Sequence, residues 1–189
     1  MAKIINPTQF LNKIAAILEK LQIKYFITGG FAVSVWGRPR ATFDVDIVIQ
    51  LLKPQITALA MALRKLSTAG YINEEAAKKA IEQTSEFNFI DGDTGIKVDF
   101  WIHKNNEFDK LRFERSQVKI IDGKKIYFVS PEDLILSKLQ WYKETSSTRQ
   151  LEDVESVLKI SNKELDKQYL KKWAKNLGVS DILDKLTSR

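Results

Sequence analysis

Hydrophobic residues along the chain follow two spacings, one typical of helices and one typical of strands. Apolar positions that recur every three or four residues predict amphipathic helices over 7–21, 54–69, 131–143, 148–160 and 162–177. Shorter apolar runs bounded by turn residues predict strands over 23–28, 44–50, 86–90, 96–102, 117–121 and 124–129. A short buried helix is predicted over 31–36, a polar surface helix over 74–83 and a terminal helix after Gly178.

Capping residues and turn residues mark the ends of these elements. N-cap residues are predicted at Asn6, Asn73, Ser130, Ser161 and Ser180. Two turn sequences predict β-hairpins, DGDTG between EFNFI and IKVDFWI, and Asp122-Gly123 between QVKII and KKIYFV. Asp91 and Asp93 have an Asp-x-Asp spacing, but they lie in the first of these turns, and turn chemistry explains them.

The predicted elements describe an α/β (α+β) protein in which helices flank a small mixed sheet. With 189 residues, the chain is long enough for one domain with a helical region added to it. We expect residues 1–129 to form the α/β core. Residues 130–189 are expected to form a C-terminal helical region packed on that core, because no linker divides the chain.

Composition narrows the class of protein. The chain has no cysteine, and therefore no disulfide and no thiolate metal site. It also lacks a run of about 18 apolar residues and a signal-peptide core, so we expect a cytoplasmic protein with no membrane partner. The net charge of +6 favours polyanionic partners such as nucleotides or RNA. Because the lysines are scattered, a solvated basic surface explains this charge as well.

The candidate chemistry is concentrated in residues 25–50. Asp44 and Asp46 share one face of a predicted strand, roughly 7 Å apart. Two carboxylates that project together repel each other unless a cation lies between them, and Mg²⁺ prefers such oxygen ligands. Gly29-Gly30 ends the preceding strand and leaves N–H groups able to face an anion at the next helix. A phosphate site and a metal site are therefore predicted within one strand–helix–strand unit.

This stretch resembles the nucleotidyltransferase superfamily. Its members carry Gly-Gly or Gly-Ser after a strand, then Asp-x-Asp among apolar residues, then a distant third carboxylate. Abortive-infection nucleotidyltransferase toxins, antibiotic nucleotidyltransferases and the head of CCA-adding enzymes share this pattern. The resemblance is strong over 23–50, moderate over 95–145 and weak after 160. Gly30 stands where many members have serine, so phosphate binding there would rely on the backbone.

Asp99 is the expected third carboxylate. It lies in mid-strand among apolar residues, where an unpaired carboxylate is costly. Lys97-Val98-Asp99 also resembles the second motif of the toxin branch. The resemblance implies that Asp44, Asp46 and Asp99 bind Mg²⁺ or Mn²⁺ and that Lys97 contacts the nucleotide.

Several basic residues are further candidates for nucleotide contacts. Arg38 and Arg40 flank a proline in a loop where they could reach a triphosphate, although a solvated loop is the alternative. Lys138 lies in the sequence Leu-x-x-x-Lys, which matches a third motif of the toxin branch. The alternative for Lys138 is a helix lysine that extends along the surface to solvent.

The last motif of the toxin branch is matched only in part. Arg149 and Asp153 fit it, but Ser156 replaces its second acidic residue. A weak surface ion pair between Arg149 and Asp153, four positions apart on a helix, is the preferred explanation. His103, the single histidine, follows a strand without an identifiable Ser or Cys partner, which argues against a triad. A solvated strand end is preferred for it over a substrate contact.

Together these residues imply a Mg²⁺-dependent enzyme that moves a nucleoside monophosphate from an NTP to a hydroxyl acceptor. The acceptor could be RNA, a protein or a small molecule, and the toxin branch implies an antitoxin partner. A catalytically inert nucleotide-binding or regulatory module on the same fold is the main alternative. A glycosyltransferase that uses Asp-x-Asp with a nucleotide sugar is a second one, but the glycine pair would have no role in it.

Overall fold

The structure is a computed structural model that describes residues 7–42 and 44–188. Its helices are α1 Pro7–Lys20, α2 Gly29–Trp36, α3 Ile56–Leu66, α4 Glu74–Gln83, α5 Glu107–Glu114, α6 Pro131–Thr145, α7 Thr148–Ile160, α8 Lys167–Asn176 and α9 Ser180–Thr187. Its strands are β1 Tyr25–Ile27, β2 Asp44–Ile49, β3 Tyr71–Ile72, β4 Glu86–Ile90, β5 Lys97–Ile102, β6 Gln117–Ile121 and β7 Lys124–Phe128. The N-cap predicted at Asn6 lies outside the described residues.

The seven strands form one mixed sheet in the order β3-β4-β5-β2-β1-β7-β6. The pairs β2–β5 and β1–β7 are parallel, and the other neighbouring pairs are antiparallel. Both predicted hairpins are present, as β4–β5 and β6–β7. Asp122 and Gly123 have φ angles of 47° and 78°, which a two-residue hairpin turn of this kind requires. The α/β (α+β) class with a mixed sheet and flanking helices is confirmed.

One compact unit contains the whole sheet and, among the described residues, consists of 7–29, 42 and 44–128. In the central strands, Val45, Ile47, Val98 and Phe100 are all fully buried. Alternation along a strand places these side chains on one face and leaves the polar residues between them on the other. The buried face is closed by apolar residues of the helices, among them Phe10, Ile14, Leu18, Leu59 and Leu63.

A second compact unit consists of residues 30–41 and 129–188 and is helical. Trp36 anchors the first of these segments, because its indole N–H donates to the Val129 carbonyl at 2.9 Å and its own carbonyl accepts from the Ser161 hydroxyl at 2.6 Å. Helix α6 packs against α7 and α8. Residues 30–41 therefore belong to the helical unit although they lie between β1 and β2 along the chain. The boundary predicted from the sequence, between a core of residues 1–129 and a helical region of residues 130–189, stays a prediction.

Two elements of the structure were not predicted from the sequence. Strand β3 has only two residues, which pair with Ile90 and Phe89, and so short a segment shows no alternation. Helix α5 is largely polar, with Phe108 as its buried apolar residue. Its N-cap is clear in the structure, because the Asn106 side chain accepts from the Asp109 N–H at 2.8 Å. Both elements depend on contacts that hydrophobic periodicity does not record.

Helix α8 begins later than its predicted cap. Ser161 does not cap it, since its hydroxyl donates to the Trp36 carbonyl. The carboxylate of Asp166 caps the helix instead and accepts from the N–H groups of Gln168 and Tyr169. The caps predicted at Asn73 and Ser130 are confirmed, and each side chain accepts a backbone N–H three residues on. In the described part of the chain, no helix is long and apolar enough to cross a membrane.

The cap of α5 gives a prediction about stability. Asn106→Ala should lower the free energy of unfolding by about 1 kcal/mol, because a first-turn N–H loses its partner. Asn105→Ala, at the exposed neighbouring position, is the control and should change it by only a few tenths. Urea denaturation checks both variants. Equal losses would mean that the cap does not stabilise α5.

Candidate functional site

The parallel pairing of β2 with β5 brings the predicted carboxylates into two adjacent rows. Asp46 lies opposite Asp99, and Asp44 lies opposite Lys97. Because side chains directly opposite each other project to the same face, the Asp46 and Asp99 carboxylates stand side by side on neighbouring strands. Asp44 is exposed, Asp46 is half-buried and Asp99 is buried. The sheet thus juxtaposes two strands that are about fifty residues apart in the sequence.

Gly29 lies directly against Asp46. Its φ angle is +61°, and a Cβ atom at this position would come within 1.8 Å of the Asp46 carboxylate oxygen Oδ2. Only glycine allows both this conformation and this approach. The Thr28 N–H donates to the Asp46 carbonyl at 2.9 Å, which ties the turn to β2. Helix α2 begins at Gly29, the residue that lies against the Asp46 carboxylate.

Lys97 supplies positive charge beside the carboxylates. Its ammonium lies 2.8 Å from Oδ2 of Asp99, and the Lys97 side chain is 39% exposed. The hydrogen bond to Asp99 raises the pKa of Lys97 above its ordinary value; burial opposes this, and the charges of Asp99, Asp44 and Glu86 add to it. Lys97 therefore carries its proton at neutral pH and offsets part of the negative charge.

Two polar residues of β4 extend the same face and were not singled out from the sequence. Antiparallel pairing places Asn88 opposite Asp99 and Glu86 opposite Trp101. Burial raises the pKa of Glu86, the charges of Asp99 and Asp46 raise it further, and Lys97 partly opposes them. The alternation in EFNFI together with the predicted hairpin was the signal that could have found them. The Trp101 indole N–H points to Oδ1 of Asp46, 3.4 Å away.

The donor chemistry of this face suits a divalent cation, although a three-residue metal cluster is not assembled. Among residues 7–42 and 44–188, no three Asp, Glu, His or Cys side chains are arranged to hold one metal ion. Asp46 and Asp99 are nevertheless adjacent carboxylates on a half-buried surface, the donor set that Mg²⁺ and Mn²⁺ prefer. Asp44 lies two residues before Asp46 on β2, in the neighbouring row of the sheet.

A separate charged cluster lies in the helical unit. Asp153 is 4% exposed and accepts from Nε and Nη2 of Arg40 at 2.9 and 3.0 Å. The Lys138 ammonium approaches the second oxygen of the same carboxylate at 2.8 Å. Burial alone would raise the pKa of Asp153, but hydrogen bonds and charges from Arg40 and Lys138 hold it below its ordinary value. Two cations surround one carboxylate, which leaves one net positive charge in this cluster.

This cluster corrects one expectation from the sequence and excludes one alternative. Asp153 is not the exposed half of a surface pair with Arg149, because it is buried and bound by Arg40 and Lys138. Lys138 does not extend to solvent either, since it is 8% exposed. The sequence could not show the contact of Arg40 with Asp153, because these residues are 113 positions apart.

The loop that carries the two predicted arginines is fixed by serines. Ser34 donates to the Gly30 carbonyl at 3.2 Å and lies 3.4 Å from the Arg40 carbonyl. The Arg38 N–H donates to the Ser156 hydroxyl at 3.3 Å, while the Arg38 side chain is exposed. A Cβ atom on Gly37 would lie 2.4 Å from this hydroxyl. Gly37 therefore lies tightly against Ser156.

His103 is not a solvated strand end. It directly follows β5 as predicted, but it is half-buried, and its ring packs edge-on against Phe113 with centroids 5.1 Å apart. Burial lowers the pKa of His103 below its ordinary value. The ring is therefore neutral at physiological pH and serves the packing of this unit.

The approach of Gly29 to Asp46 gives a prediction. Gly29→Ala should lower the free energy of unfolding by roughly 1–3 kcal/mol more than Gly95→Ala, because it adds crowding to backbone strain. Gly95 is a matched control, since its φ is +74° and the space around its Cα is open. Thermal or urea unfolding of the two variants checks this. Equal losses would contradict the close contact with Asp46.

The buried Asp153 gives another prediction. Asp153→Asn should destabilise the protein by roughly 3 kcal/mol at pH 7, because Arg40 and Lys138 lose their counter-charge. The depressed pKa means that this stabilisation is full above about pH 4 and is lost as the pH falls through the folded-state value. The variant should therefore lose less stability than the parent on acidification. Glu152→Gln, an exposed carboxylate on the same helix, is the control, and a loss equal to its loss would contradict the prediction.

Comparison with known proteins places the fold. No protein-family profile and no curated protein match the chain. Solved structures do match it, among them ANT(2'')-Ia in complex with adenylyl-2''-tobramycin, with 15% identity over 90% of this chain and 96% of that one, at a TM-score of 0.63.

Two further solved structures also match the chain. An antigenic nucleotidyltransferase-like protein from Paracoccidioides brasiliensis has 18% identity over 96% of this chain and 92% of its own, with a TM-score of 0.53. Lincomycin-bound lincosamide antibiotic adenylyltransferase LnuA has 14% identity over 81% and 98%, with a TM-score of 0.52. The chain therefore shares the fold of these nucleotidyltransferases, as the resemblance of its glycine and aspartate motifs implied.

Proposed function

We propose that the protein transfers a nucleoside monophosphate from an NTP to a hydroxyl acceptor and that it requires Mg²⁺ or Mn²⁺. The observation that carries this proposal is the pairing of Asp46 with Asp99 on adjacent parallel strands, with Gly29 held against Asp46. The fold supports it, because nucleotidyltransferases share this architecture at low sequence identity.

Each residue of this face has a role in the proposed reaction. Gly29 and Gly30 open α2 and offer backbone N–H groups to the phosphates. Asp44, Asp46 and Asp99 would hold the divalent cation, which when bound offsets phosphate charge and favours ionisation of the acceptor hydroxyl. A bond forms between the acceptor oxygen and the α-phosphorus, the bond to pyrophosphate breaks, and Asp99 is the carboxylate proposed to receive the hydroxyl proton.

Lys97 and the basic residues of the helical unit are proposed nucleotide contacts. Lys97 would balance the charge of Asp99 while the phosphates are bound. Arg40 and Lys138 share one carboxylate, so their cluster keeps a net positive charge that attracts anions. Arg38 is exposed on the same loop. The roles of Arg38, Arg40 and Lys138 toward the nucleotide stay predictions.

The main alternative is a catalytically inert nucleotide-binding or regulatory module on the same fold. Such a module would bind the metal–NTP complex through the same carboxylates and would release no pyrophosphate. Pyrophosphate release in the presence of an acceptor therefore separates the enzyme from the inert module. Membership of the toxin branch and an antitoxin partner remain predictions that rest on the sequence motifs alone.

Substitution of the carboxylates tests the proposal. Asp44→Asn, Asp46→Asn and Asp99→Asn should each lower transfer from an α-labelled NTP by orders of magnitude, because each removes a metal ligand. Asp93→Asn is the matched control, since Asp93 belongs to the second Asp-x-Asp, in the β4–β5 turn. EDTA should abolish transfer and added Mg²⁺ or Mn²⁺ should restore it. Transfer by Asp46→Asn at the parental rate would refute the assignment.

Melting curves supply a readout that does not depend on turnover. Metal–NTP at about 100 times its dissociation constant should stabilise the parent by ~2.7 kcal/mol, and Asp46→Asn should lose most of that gain. Without ligand, Asp46→Asn should melt at or above the parental temperature, because it relieves repulsion from Asp99. A variant that melts far below the apo parent and keeps the ligand gain would point to a structural carboxylate.

A further inference from the structure

Strand β5 presents three side chains with hydrogen-bonding groups to the face of the proposed site. They are Lys97, Asp99 and Trp101, which alternate along the strand and therefore project to the same side. The Lys97 ammonium lies 2.8 Å from Oδ2 of Asp99. The Trp101 indole N–H donates to Oδ1 of Asp46 on the neighbouring strand at 3.4 Å. Each of the two adjacent carboxylates thus has its own donor from β5.

The contact between Trp101 and Asp46 runs diagonally across the two strands. Trp101 lies opposite Val48, two residues beyond Asp46 on β2. Neighbours on adjacent strands that are offset by two residues are within reach of aromatic side chains, and the indole carries an N–H that can only donate. A phenyl ring could pack against the same neighbours without offering this hydrogen bond. The N–H is therefore the feature of Trp101 that packing alone does not require.

The Asp46 carboxylate has a different neighbour at each oxygen. Oδ1 accepts from Trp101, and Gly29 lies so close to Oδ2 that a Cβ atom there would come within 1.8 Å of it. These two contacts, one from β5 and one from the start of α2, restrict rotation of the carboxylate group. A carboxylate has about four lone-pair sites, so the contacts leave others for a cation. Asp46 is therefore oriented before any cation arrives.

The two donors of β5 differ in charge. Lys97 is a cation and offsets the charge of Asp99, whereas the indole of Trp101 is neutral. Asp46 therefore gains a fixed orientation without losing the negative charge that attracts a divalent cation. Hydrogen-bond partners of metal-binding carboxylates act in this way, and removing them typically weakens metal binding by about 10–100-fold.

We propose that Trp101 is a positioning residue that holds Asp46 in the orientation in which it binds the divalent cation. The inference rests on the proposed function and adds a residue to its metal site. Trp101 acts through Asp46 and supplies no ligand of its own, because an indole N–H is a donor only. The affinity of the protein for Mg²⁺ or Mn²⁺ should therefore depend on the N–H of residue 101.

Direct binding of Mn²⁺ to the full chain, followed by the electron paramagnetic resonance signal of the free ion, tests the proposal. Trp101→Phe, which keeps an aromatic ring and removes the N–H, should weaken Mn²⁺ binding about tenfold. Trp141→Phe is the control, since it removes an indole N–H from a residue of α6 that is 41% exposed. It should leave the affinity for Mn²⁺ unchanged.

A double-mutant cycle separates positioning from a general effect on the fold. Asp46→Asn should weaken Mn²⁺ binding by itself. Trp101→Phe added to Asp46→Asn should weaken binding no further, because the indole then has no metal ligand to position. A further loss in the double variant would show that Trp101 acts through packing, and it would overturn the inference.

The indole resonance of Trp101 in ¹⁵N-labelled protein gives a second readout that needs no substitution at residue 101. Mg²⁺ should shift this resonance in the parent, because the N–H donates to the carboxylate that is proposed to bind the ion. Asp46→Asn should abolish the response. A resonance that responds to Mg²⁺ equally in the parent and in Asp46→Asn, or in neither, would contradict the inference.

The outcomes distinguish this inference from the proposed function. If Asp46→Asn weakens Mn²⁺ binding while Trp101→Phe binds the ion as the parent does, the inference is overturned and the proposed function stands. If Mn²⁺ binding depends on both residues but no NTP releases pyrophosphate in the presence of an acceptor, Trp101 stands as a positioning residue and the proposed transfer fails. If Asp46→Asn binds Mn²⁺ as tightly as the parent, the proposed metal site and the inference fail together.

Discussion

The parallel pairing of β2 with β5 is the constraint on which the candidate site depends. It places Asp46 opposite Asp99, and a slip of one residue would turn one of these carboxylates to the buried face. The register is held by Val45, Ile47, Val98 and Phe100, whose burial allows no alternative. Apolar packing on one side of the sheet thus determines which charges meet on the other. The repulsion between the adjacent carboxylates is offset by the free energy gained from burying the apolar side chains of the same two strands.

The helical unit uses charge differently. Asp153 is buried between Arg40 and Lys138, so its carboxylate organises two cations that would otherwise repel each other. A buried ion cluster is weak evidence for high stability, because desolvation offsets much of the Coulomb attraction. Its value lies in fixing where the two cations are. The serines at positions 34 and 156 hold the loop backbone in the same way, through hydrogen bonds at each end.

Structural elements could be predicted from the sequence where the residues that determine them are close together in the chain. The glycine pair, the Asp-x-Asp strand and both hairpins are local patterns, and they predicted the central strands and the fold class. Asp99 could be singled out because a carboxylate in mid-strand needs a partner. Contacts between residues that are far apart in the chain could not be predicted in this way. Arg40 lies 113 positions from Asp153, and the cap predicted at Ser161 is absent because its hydroxyl donates to the Trp36 carbonyl. Glu86 and Asn88 were not singled out, although the alternation in EFNFI and the predicted hairpin already placed them on the face that pairs with β5.

The position of residues 30–41 in the helical unit has a consequence for synthesis on the ribosome. This segment emerges early, but the residues that complete its hydrogen bonds, Val129, Asp153 and Ser161, follow about a hundred positions later. At a synthesis rate of roughly 5–20 residues per second, these residues are made on the order of 5–20 s after the segment. During that time the Val129 carbonyl, which accepts from the Trp36 indole N–H in the folded protein, has not yet been synthesised. A chaperone that shields short apolar stretches on nascent chains would therefore be expected to engage residues 31–36 before any other part of the helical unit exists.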